Sequence, residues 1–376
     1  MTKSWGSRII SALWGVLLGV VLIVGAIYLV LWNEGRGLHV AQSYQQAHDL
    51  LVTVEAAPIQ PSNDLLVVHL HGMATTNDVL RDKLLDVSRK AIELNRYVEM
   101  YQWQESKATT TEKKYGGSEQ EVTTYSYRKG WSSGWIDSAS FKEPERSNPS
   151  SMPIQSVTQY AKQVTVGDFS LPIDLITDIS GEIPVELDKV DVDKLSKRLK
   201  KPVQQHGSGL YVGKNPNTPM IGDMRVTMTV VLPQTVSVIA QQVGTSLQPF
   251  MAPAGEVVSL IAMGEVTPDE MIHEAEVQNR AMTWLLRAGS LLLMVLGFSM
   301  IMRPVVVLAD VVPFFGNVAN VGVGFVALLL GFGCWTMVVA VAWFAVRPLW
   351  SVSFVVVMGL IGFVMWRKKA NVNTDK

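Results

Sequence analysis

The stretch IISALWGVLLGVVLIVGAIYLVLW, residues 9–32, decides the fold of this chain. It contains no charged side chain and is longer than the roughly 20 residues that an α-helix needs to cross the hydrocarbon core of a bilayer. A cleaved signal peptide would have a shorter apolar stretch with a small-residue cleavage site after it, whereas Asn33-Glu34-Gly35-Arg36 follows here. We therefore predict that residues 9–32 form a first transmembrane helix that is not removed as a signal peptide.

Three further apolar stretches lie near the other end of the sequence. Residues 283–302, 318–345 and 349–366 are each long enough to cross a bilayer as a helix. Several tryptophans lie close to the ends of these stretches, where amphipathic rings prefer the headgroup layer. The sequence therefore predicts four transmembrane helices, one before and three after a long middle region.

The segment between the second and third predicted spans, residues 303–317, is apolar but contains Pro304, Asp310 and Pro313. Proline removes a backbone hydrogen bond from a helix interior, and a lone carboxylate is costly in hydrocarbon. We therefore predict a bent loop that lies in the cytoplasmic interface and does not span the membrane.

Positive charge beside the spans predicts the orientation of the chain. Lys3 and Arg8 precede the first span, and residues 367–376 begin with three basic side chains after the fourth. Because Lys and Arg accumulate on the cytoplasmic side, residues 1–8 and 367–376 are expected to be cytoplasmic. Residues 33–282 would then form a domain outside the cytoplasm, periplasmic in a bacterium or luminal in a eukaryote.

Charge is unevenly distributed along the chain, although its formal net charge is only −1. The middle region is acidic and the apolar ends are basic. An acidic domain does not attract phosphate, so no nucleic-acid partner is expected. The single cysteine, Cys334, lies inside a predicted span, so the middle region holds no disulfide. Its sequence contains no cofactor-binding motif, and no cofactor is expected.

The middle region has mainly β patterns, which predicts an α+β membrane protein with a large, mainly-β extracytoplasmic domain. Residues 96–105 and 121–131 alternate in polarity on either side of Gly116-Gly117, a turn signal, and indicate a long hairpin. Residues 191–199 have helical spacing, with basic side chains on the outer face. Residues 209–266 consist of strand-like segments and are expected to form a meander.

A helix start signal precedes the second span. Thr267 can cap a helix, Pro268 suits its first position, and acidic residues follow at the positive end of the helix dipole. Since no strong breaker intervenes, we predict one continuous helix from Pro268 to Met302, which would link the domain rigidly to the membrane.

Two patterns in the middle region suggest chemistry. The string GWSSG, residues 130–134, matches the nucleophile elbow of hydrolases around Ser132, but the elbow needs a following helix, and none is indicated. A glycine-flanked bend of a strand is the favoured interpretation. His69 and His71 alternate on one predicted strand and are weak metal-ligand candidates, because no third ligand lies nearby in the sequence.

Three residues of the spans are candidates for helix packing or function. Gly15 and Gly19 have the spacing that lets two membrane helices approach closely. Arg287 lies in the first turns of the second span, where it either extends toward the headgroups or forms a buried ion pair or conduction site.

Several short strings resemble the LUMA, or transmembrane protein 43, family in the same order along almost the whole chain. The most specific are WNEGR, which contains Asn33, Glu34, Gly35 and Arg36, and VEMYQW, which ends at Trp103. Asn148 and Pro149 continue the pattern, and RPLW at residues 347–350 closes it.

This resemblance implies a four-span protein with a large luminal domain. In animals the family lies in the endoplasmic reticulum and inner nuclear membrane, where it is described as a scaffold that self-associates and binds lamins and emerin. The short, compact chain indicates a bacterial member, and a bacterium has no lamina to bind. The expected location is therefore a bacterial inner membrane, with the middle domain in the periplasm.

Three functions are carried forward from the sequence. The first is a non-catalytic scaffold that binds the lipid bilayer, forms a homo-oligomer and presents its outer domain to an unidentified membrane or periplasmic protein. The second is a transporter or channel component, for which Arg287, Ser290, Ser299 and Thr336 are the polar candidates in the spans. The third is a periplasmic hydrolase that uses Ser132.

Overall fold

A computed structural model describes residues 2–346, and long helices dominate both ends of this range. The α-helices are α1 (Trp5–Asp49), α2 (Ile173–Thr177), α3 (Val192–Leu199), α4 (Pro268–Ala309) and α5 (Pro313–Val346). Of these, α1, α4 and α5 are long and apolar enough to cross a membrane, which confirms three of the predicted spans. The predicted fourth span, residues 349–366, and the basic tail, residues 367–376, lie outside the described residues.

The long helices extend beyond the predicted spans. α1 continues through Asp49, and α4 begins at Pro268, as the helix start signal predicts. Thr267 and Glu270 cap α4 reciprocally: the Thr267 amide donates to the Glu270 carboxylate at 3.2 Å, and the Glu270 amide donates to the Thr267 hydroxyl at 3.4 Å. The sheet-rich region is therefore shorter than residues 33–282, and its strands lie between Leu51 and Met263.

The predicted interfacial loop at residues 303–317 is wrong in its extent. α4 continues past Pro304 to Ala309, and α5 begins at Pro313, so the break covers only residues 310–312. Proline is tolerated in membrane helices because neighbouring helices and local adjustments accommodate the freed backbone group. The turn forms instead at the charged Asp310.

Nineteen strands lie within residues 2–346. In chain order they are β1 (Thr2–Lys3), β2 (Leu51–Thr53), β3 (Val67–Thr75), β4 (Val79–Asp82), β5 (Val87–Lys90), β6 (Glu93–Lys113), β7 (Glu119–Ser132), β8 (Val157–Tyr160), β9 (Thr165–Val166), β10 (Phe169–Ser170), β11 (Ile183–Pro184), β12 (Val203–His206), β13 (Gly209–Val212), β14 (Met224–Val231), β15 (Gln234–Val243), β16 (Ser246–Gln248), β17 (Phe250–Met251), β18 (Val257–Val258) and β19 (Leu260–Met263).

The chain divides into two compact units. Among the described residues, unit 1 contains 2–42, 110–122 and 276–346, and unit 2 contains Ser43–Thr109 and Thr123–Ala275. Unit 1 thus combines the apolar parts of α1, α4 and α5 with the tip of the β6–β7 hairpin.

Unit 2 is built on two large sheets, together with the two-stranded sheets β4-β5 and β17-β18. One large sheet has the order β1-β7-β6-β14-β13-β12, with β8 on β6, β11 on β14 and the terminal β1 in unit 1. The other has the order β19-β15-β16-β10-β9-β3-β2, with β15 also paired to β3. The long hairpin is present, but the single meander predicted for residues 209–266 is wrong, because β14 and β15 enter different sheets. β14 pairs with the distant β6 and β15 with the distant β3, and the polarity pattern of a strand does not identify its partner.

Apolar side chains of the two sheets form the core of unit 2. One cluster joins β6 and β14 to α3 through Val98, Met224 and Leu195. Another joins β3 and β15 to α2 through Leu70 and Ile176, both of which are buried. These cores hold unit 2 together without a disulfide, since hydrophobic burial is the main favourable term in folding.

Unit 1 is centred on an antiparallel contact of α1 with α4. A Cβ added at Gly19 would lie 2.6 Å from the Gly297 carbonyl oxygen, and one added at Gly297 would lie 2.8 Å from the Gly19 carbonyl oxygen. Gly15 lies against the same helix, with looser contacts of 3.9 Å to Met300. The two backbones therefore touch at Gly19 and Gly297, the packing that small residues allow in membranes.

We predict that Gly19→Leu destabilises the protein, whereas Gly25→Leu does not. A leucine at position 19 would force the two backbones apart, and overpacking of this kind costs about 1–3 kcal/mol. Gly25 lies on the same helix, and a Cβ added there would have no neighbour within 4 Å, so it is the matched control. Thermal unfolding of the detergent-purified variants measures both, and equal melting temperatures would contradict the α1–α4 contact.

Candidate functional site

Polar side chains of α1 and α4 meet just beyond the apolar stretch of α1. We call this group the polar junction; its members are Asn33, Glu34, Arg36, Asn279, Thr283 and Arg287. On α4 the last three recur every four residues, which places them on one face of the helix. That spacing is visible in the sequence, although it was not recognised there.

A buried ion pair lies at the centre of the polar junction. The Arg287 guanidinium donates twice to the Glu34 carboxylate, with Nε–Oε1 2.6 Å and Nη2–Oε2 2.8 Å. Only 6% of the Glu34 side chain and 17% of the Arg287 side chain are exposed. Of the interpretations left open for Arg287, the structure therefore favours the buried ion pair over an arginine that extends freely to the headgroups.

Further hydrogen bonds between α1 and α4 surround this pair. The Asn33 side-chain amide donates to the Thr283 carbonyl at 3.1 Å, and Arg36 donates to the Asn279 amide oxygen at 3.1 Å. Asn279 in turn donates to the Gly37 carbonyl at 2.9 Å. The WNEGR string thus binds α1 to α4 side by side, which gives these residues a structural role.

A cavity of about 390 Å³ lies beside the polar junction. Its lining includes the Glu34–Arg287 pair and two tryptophans, Trp284 and Trp343. The Arg287 guanidinium also lies 4.7 Å from the centre of the Trp284 ring, a cation–π contact. The cavity therefore combines two tryptophan side chains with a paired glutamate and arginine.

A second polar cluster lies at the other end of the apolar stretch of α1. We call it the Asp310 cluster; it consists of Arg8, Lys113, Glu119 and Asp310. Asp310 is fully buried and is bound by Arg8 and by Lys113, the latter at 2.7 Å, and Arg8 also contacts Glu119 at 2.7 Å. The sequence signal for this cluster is the lone carboxylate in an apolar segment, which predicts a helix break but does not identify the partners of Asp310.

The Asp310 cluster joins segments that the sequence analysis predicts on opposite sides of a membrane. Lys113 and Glu119 belong to the hairpin tip, which is predicted with residues 33–282 to lie in the outer domain, whereas Arg8 is predicted to be cytoplasmic. Arg8 donates to the Gly117 carbonyl at 2.6 Å, so the hairpin tip lies beside the start of α1. The prediction treated residues 33–282 as one body and could not anticipate that β6 is 21 residues long, which is about 70 Å as a strand.

Trp103, Asn148 and Pro149 of the family pattern lie together in unit 2. The Asn148 side chain accepts from the Trp103 amide at 2.7 Å and donates to the Trp103 carbonyl at 3.0 Å, which satisfies the outer edge of β6. The Trp135 indole donates to the Pro149 carbonyl at 2.8 Å. These residues stabilise the chain that follows the hairpin and form no catalytic arrangement.

The two histidines do not form a metal site in the structure. His69 is buried, its Nε2 lies 3.0 Å from the Val266 carbonyl oxygen, and burial lowers the pKa of its imidazole. His71 is exposed, and the two ring centres are 6.5 Å apart. Among the described residues no group of three His, Cys, Asp or Glu side chains could hold a metal ion.

Ser132 lacks the surroundings of a nucleophile elbow. It ends β7, a strand of an antiparallel hairpin, and turns and bends follow it in place of a helix. Its hydroxyl donates to the Gly134 carbonyl at 2.8 Å. The GWSSG string therefore forms the end of a strand, as the favoured interpretation predicts.

Taken together, three apolar helices and two sheets define an integral membrane protein of the α+β class. The chain matches the Transmembrane protein 43 family over residues 100–348. It is 30% identical to Transmembrane protein 43 of Pongo abelii over 365 residues, which covers 93% of this chain and 87% of the relative. The Homo sapiens protein is also 30% identical, over 90% of this chain and 86% of its own length.

A more distant relative is the Transmembrane protein 43 homolog of Drosophila melanogaster, 26% identical over 88% of this chain and 89% of its own length. No solved structure matches the chain. The chain belongs to the transmembrane protein 43 family, which confirms the resemblance found in its short strings.

We predict that Glu34→Gln lowers the thermal stability of the protein, because it leaves the buried Arg287 without its counter-charge. Removing one member of a buried pair costs about 3–5 kcal/mol. Arg287→Lys keeps the charge but loses the two-pronged geometry, so it should cause a smaller loss. Thermal unfolding in detergent, followed by tryptophan fluorescence, measures both effects.

The matched control for this prediction is Glu276→Gln, which removes a more exposed pair on the same helix. Glu276 Oε2 lies 3.6 Å from Arg280 Nη1, and 35% of the Glu276 side chain and 57% of the Arg280 side chain are exposed, so the control should change stability by less than about 1 kcal/mol. If Glu34→Gln and Glu276→Gln lowered the melting temperature equally, the polar junction would not have the role assigned to it.

Proposed function

We propose that this protein is a non-catalytic membrane scaffold that self-associates and presents unit 2 to membrane or envelope partners. The main support is that buried ion pairs hold α1 at two places. At the polar junction α1 is paired with α4, and at the Asp310 cluster it is paired with the turn between α4 and α5. Buried ion pairs at both ends of the apolar stretch of α1 specify one arrangement of the three long helices. A fixed arrangement suits a scaffold, which must present its binding surfaces in a constant geometry.

The path of the chain through unit 1 supports self-association. Gly37 and Asn279 both lie at the polar junction. Between them in the sequence, residues 110–122 lie at the Asp310 cluster, so the chain extends from the junction to that cluster and returns. Within residues 2–346 the helices apolar enough to span a membrane are α1, α4 and α5, whereas residues 110–122 belong to a β-hairpin rich in polar side chains. Polar strands require water or protein beside them, and neighbouring copies of the chain would enclose such a path.

We propose a bacterial inner membrane as the location, with residues 1–8 in the cytoplasm and the polar junction at the periplasmic face. Lys3 and Arg8 at one end of α1 support this orientation through the preference of basic residues for the cytoplasmic side. The hairpin tip would then reach the cytoplasmic end of the helices.

A transporter or channel component is the second candidate. The buried Glu34–Arg287 pair favours it, because ionisable residues between membrane helices are often part of ion pathways. Water would also be able to fill the space beside the polar hairpin strands between neighbouring copies of the chain. Ion flux through liposomes that contain the purified oligomer would support this function, and a sealed liposome would support the scaffold.

The scaffold proposal is tested by the mass of the purified protein and by crosslinking in native membranes. Light scattering in mild detergent and in nanodiscs is expected to give an integer multiple of the chain mass. Tyr115→Cys in a Cys334→Ala background places a thiol on the exposed hairpin tip and should give crosslinks between copies with a bifunctional reagent. Cys334→Ala alone is the control, and a single-chain mass in both media would refute self-association.

A further inference from the structure

A second cavity in unit 1, of about 460 Å³, has an amphipathic lining. Three cationic side chains line it, Arg8, Lys113 and Arg303, together with apolar side chains of α4 and α5 that include Leu296, Met300 and Val323. On α4, Met300 and Leu296 precede Arg303 by one and two helical turns, so the three lie along one face of that helix. The cationic and apolar parts of the lining are therefore continuous.

The charges of this cavity do not cancel. Asp310 and Glu119 are the carboxylates in its lining, and both are engaged: Arg8 contacts each of them, and Lys113 contacts Asp310 at 2.7 Å. Arg303 is exposed and has neither an ion pair nor a hydrogen bond within residues 2–346. Three cationic side chains and two carboxylates give the lining a net positive charge. Because the two carboxylates are paired with Arg8 and Lys113, the unpaired charge is that of Arg303.

The position of the cavity explains why both kinds of lining are needed. Arg303 lies within two helical turns of the end of α4 at Ala309, so its long side chain can reach the headgroup layer. Basic pockets between membrane helices on the cytoplasmic side bind the headgroups of anionic lipids. A small soluble anion would leave the leucine, methionine and valine side chains uncovered, whereas an acyl chain would pack against them and bury their apolar surface.

We propose that this cavity binds one anionic phospholipid, with its phosphate at Arg303 and Lys113 and an acyl chain along Met300 and Leu296. Ser299 and Asn320 also line the cavity and can donate hydrogen bonds to the phosphate oxygens. The lipid would neutralise Arg303 and fill the groove between α4 and α5. The proposal holds for a scaffold and for a transporter alike.

Native mass spectrometry of the full chain tests this site, with dioleoyl phosphatidylglycerol and dioleoyl phosphatidylcholine titrated separately from mixed micelles. The wild type is expected to retain phosphatidylglycerol in preference to phosphatidylcholine. Arg303→Gln should weaken phosphatidylglycerol binding about fivefold, since one basic residue near anionic lipid contributes about 1 kcal/mol. Because Arg303 is exposed, this change should leave the fold intact, which the unchanged melting temperature in neutral detergent would verify.

The matched control is Arg280→Gln, an exposed arginine of the same helix near the polar junction, which should leave phosphatidylglycerol binding unchanged. Equal retention of the two lipids by the wild type would overturn the proposal, as would equal losses in Arg303→Gln and Arg280→Gln. Inorganic phosphate and glycerol 3-phosphate distinguish a lipid from a free anion: if either displaced the lipid at matched concentration, the site would be one for a soluble phosphate instead.

Discussion

A carboxylate and a guanidinium at the edge of the hydrocarbon form the contact on which unit 1 depends. Either Glu34 or Arg287 alone would be costly there, so each requires the other within hydrogen-bonding distance. The contact also agrees with the register of the two helices. Asn33 and Gly19 on α1 are separated by the same number of residues as Thr283 and Gly297 on α4, so one antiparallel alignment satisfies both contacts.

Features that depend on one continuous segment were predictable, and features that depend on a distant partner were not. The apolar length of residues 9–32, the Thr267-Pro268 helix start and the Gly116-Gly117 hairpin turn are each local to one segment, and the structure contains all three elements. The pairing of β15 with β3 joins segments far apart in the sequence, and polarity alternation is the same whichever strand is the partner.

The candidate site shows the same division. Arg287 was recognised as an unusual residue of a span and Glu34 as part of a family string, but their contact bridges most of the chain. Asp310 was recognised only as an interruption, because its partners Arg8 and Lys113 come from the other end of α1 and from a hairpin tip. A lone charge in an apolar segment predicts that a partner exists, and only the fold identifies it.

A disulfide between Gly37→Cys and Thr283→Cys, in a Cys334→Ala background, tests the α1–α4 contact most directly. A Cβ at Gly37 lies 3.8 Å from the Thr283 Cβ, which is the mean separation in disulfides. With a protease site inserted at the exposed Asn217, oxidation should keep the two cleaved halves joined on a non-reducing gel. Gly35→Cys, whose Cβ would have no neighbour within 4 Å, should leave them separate. Separation of the halves in the Gly37 variant, or joining in both variants, would contradict the account.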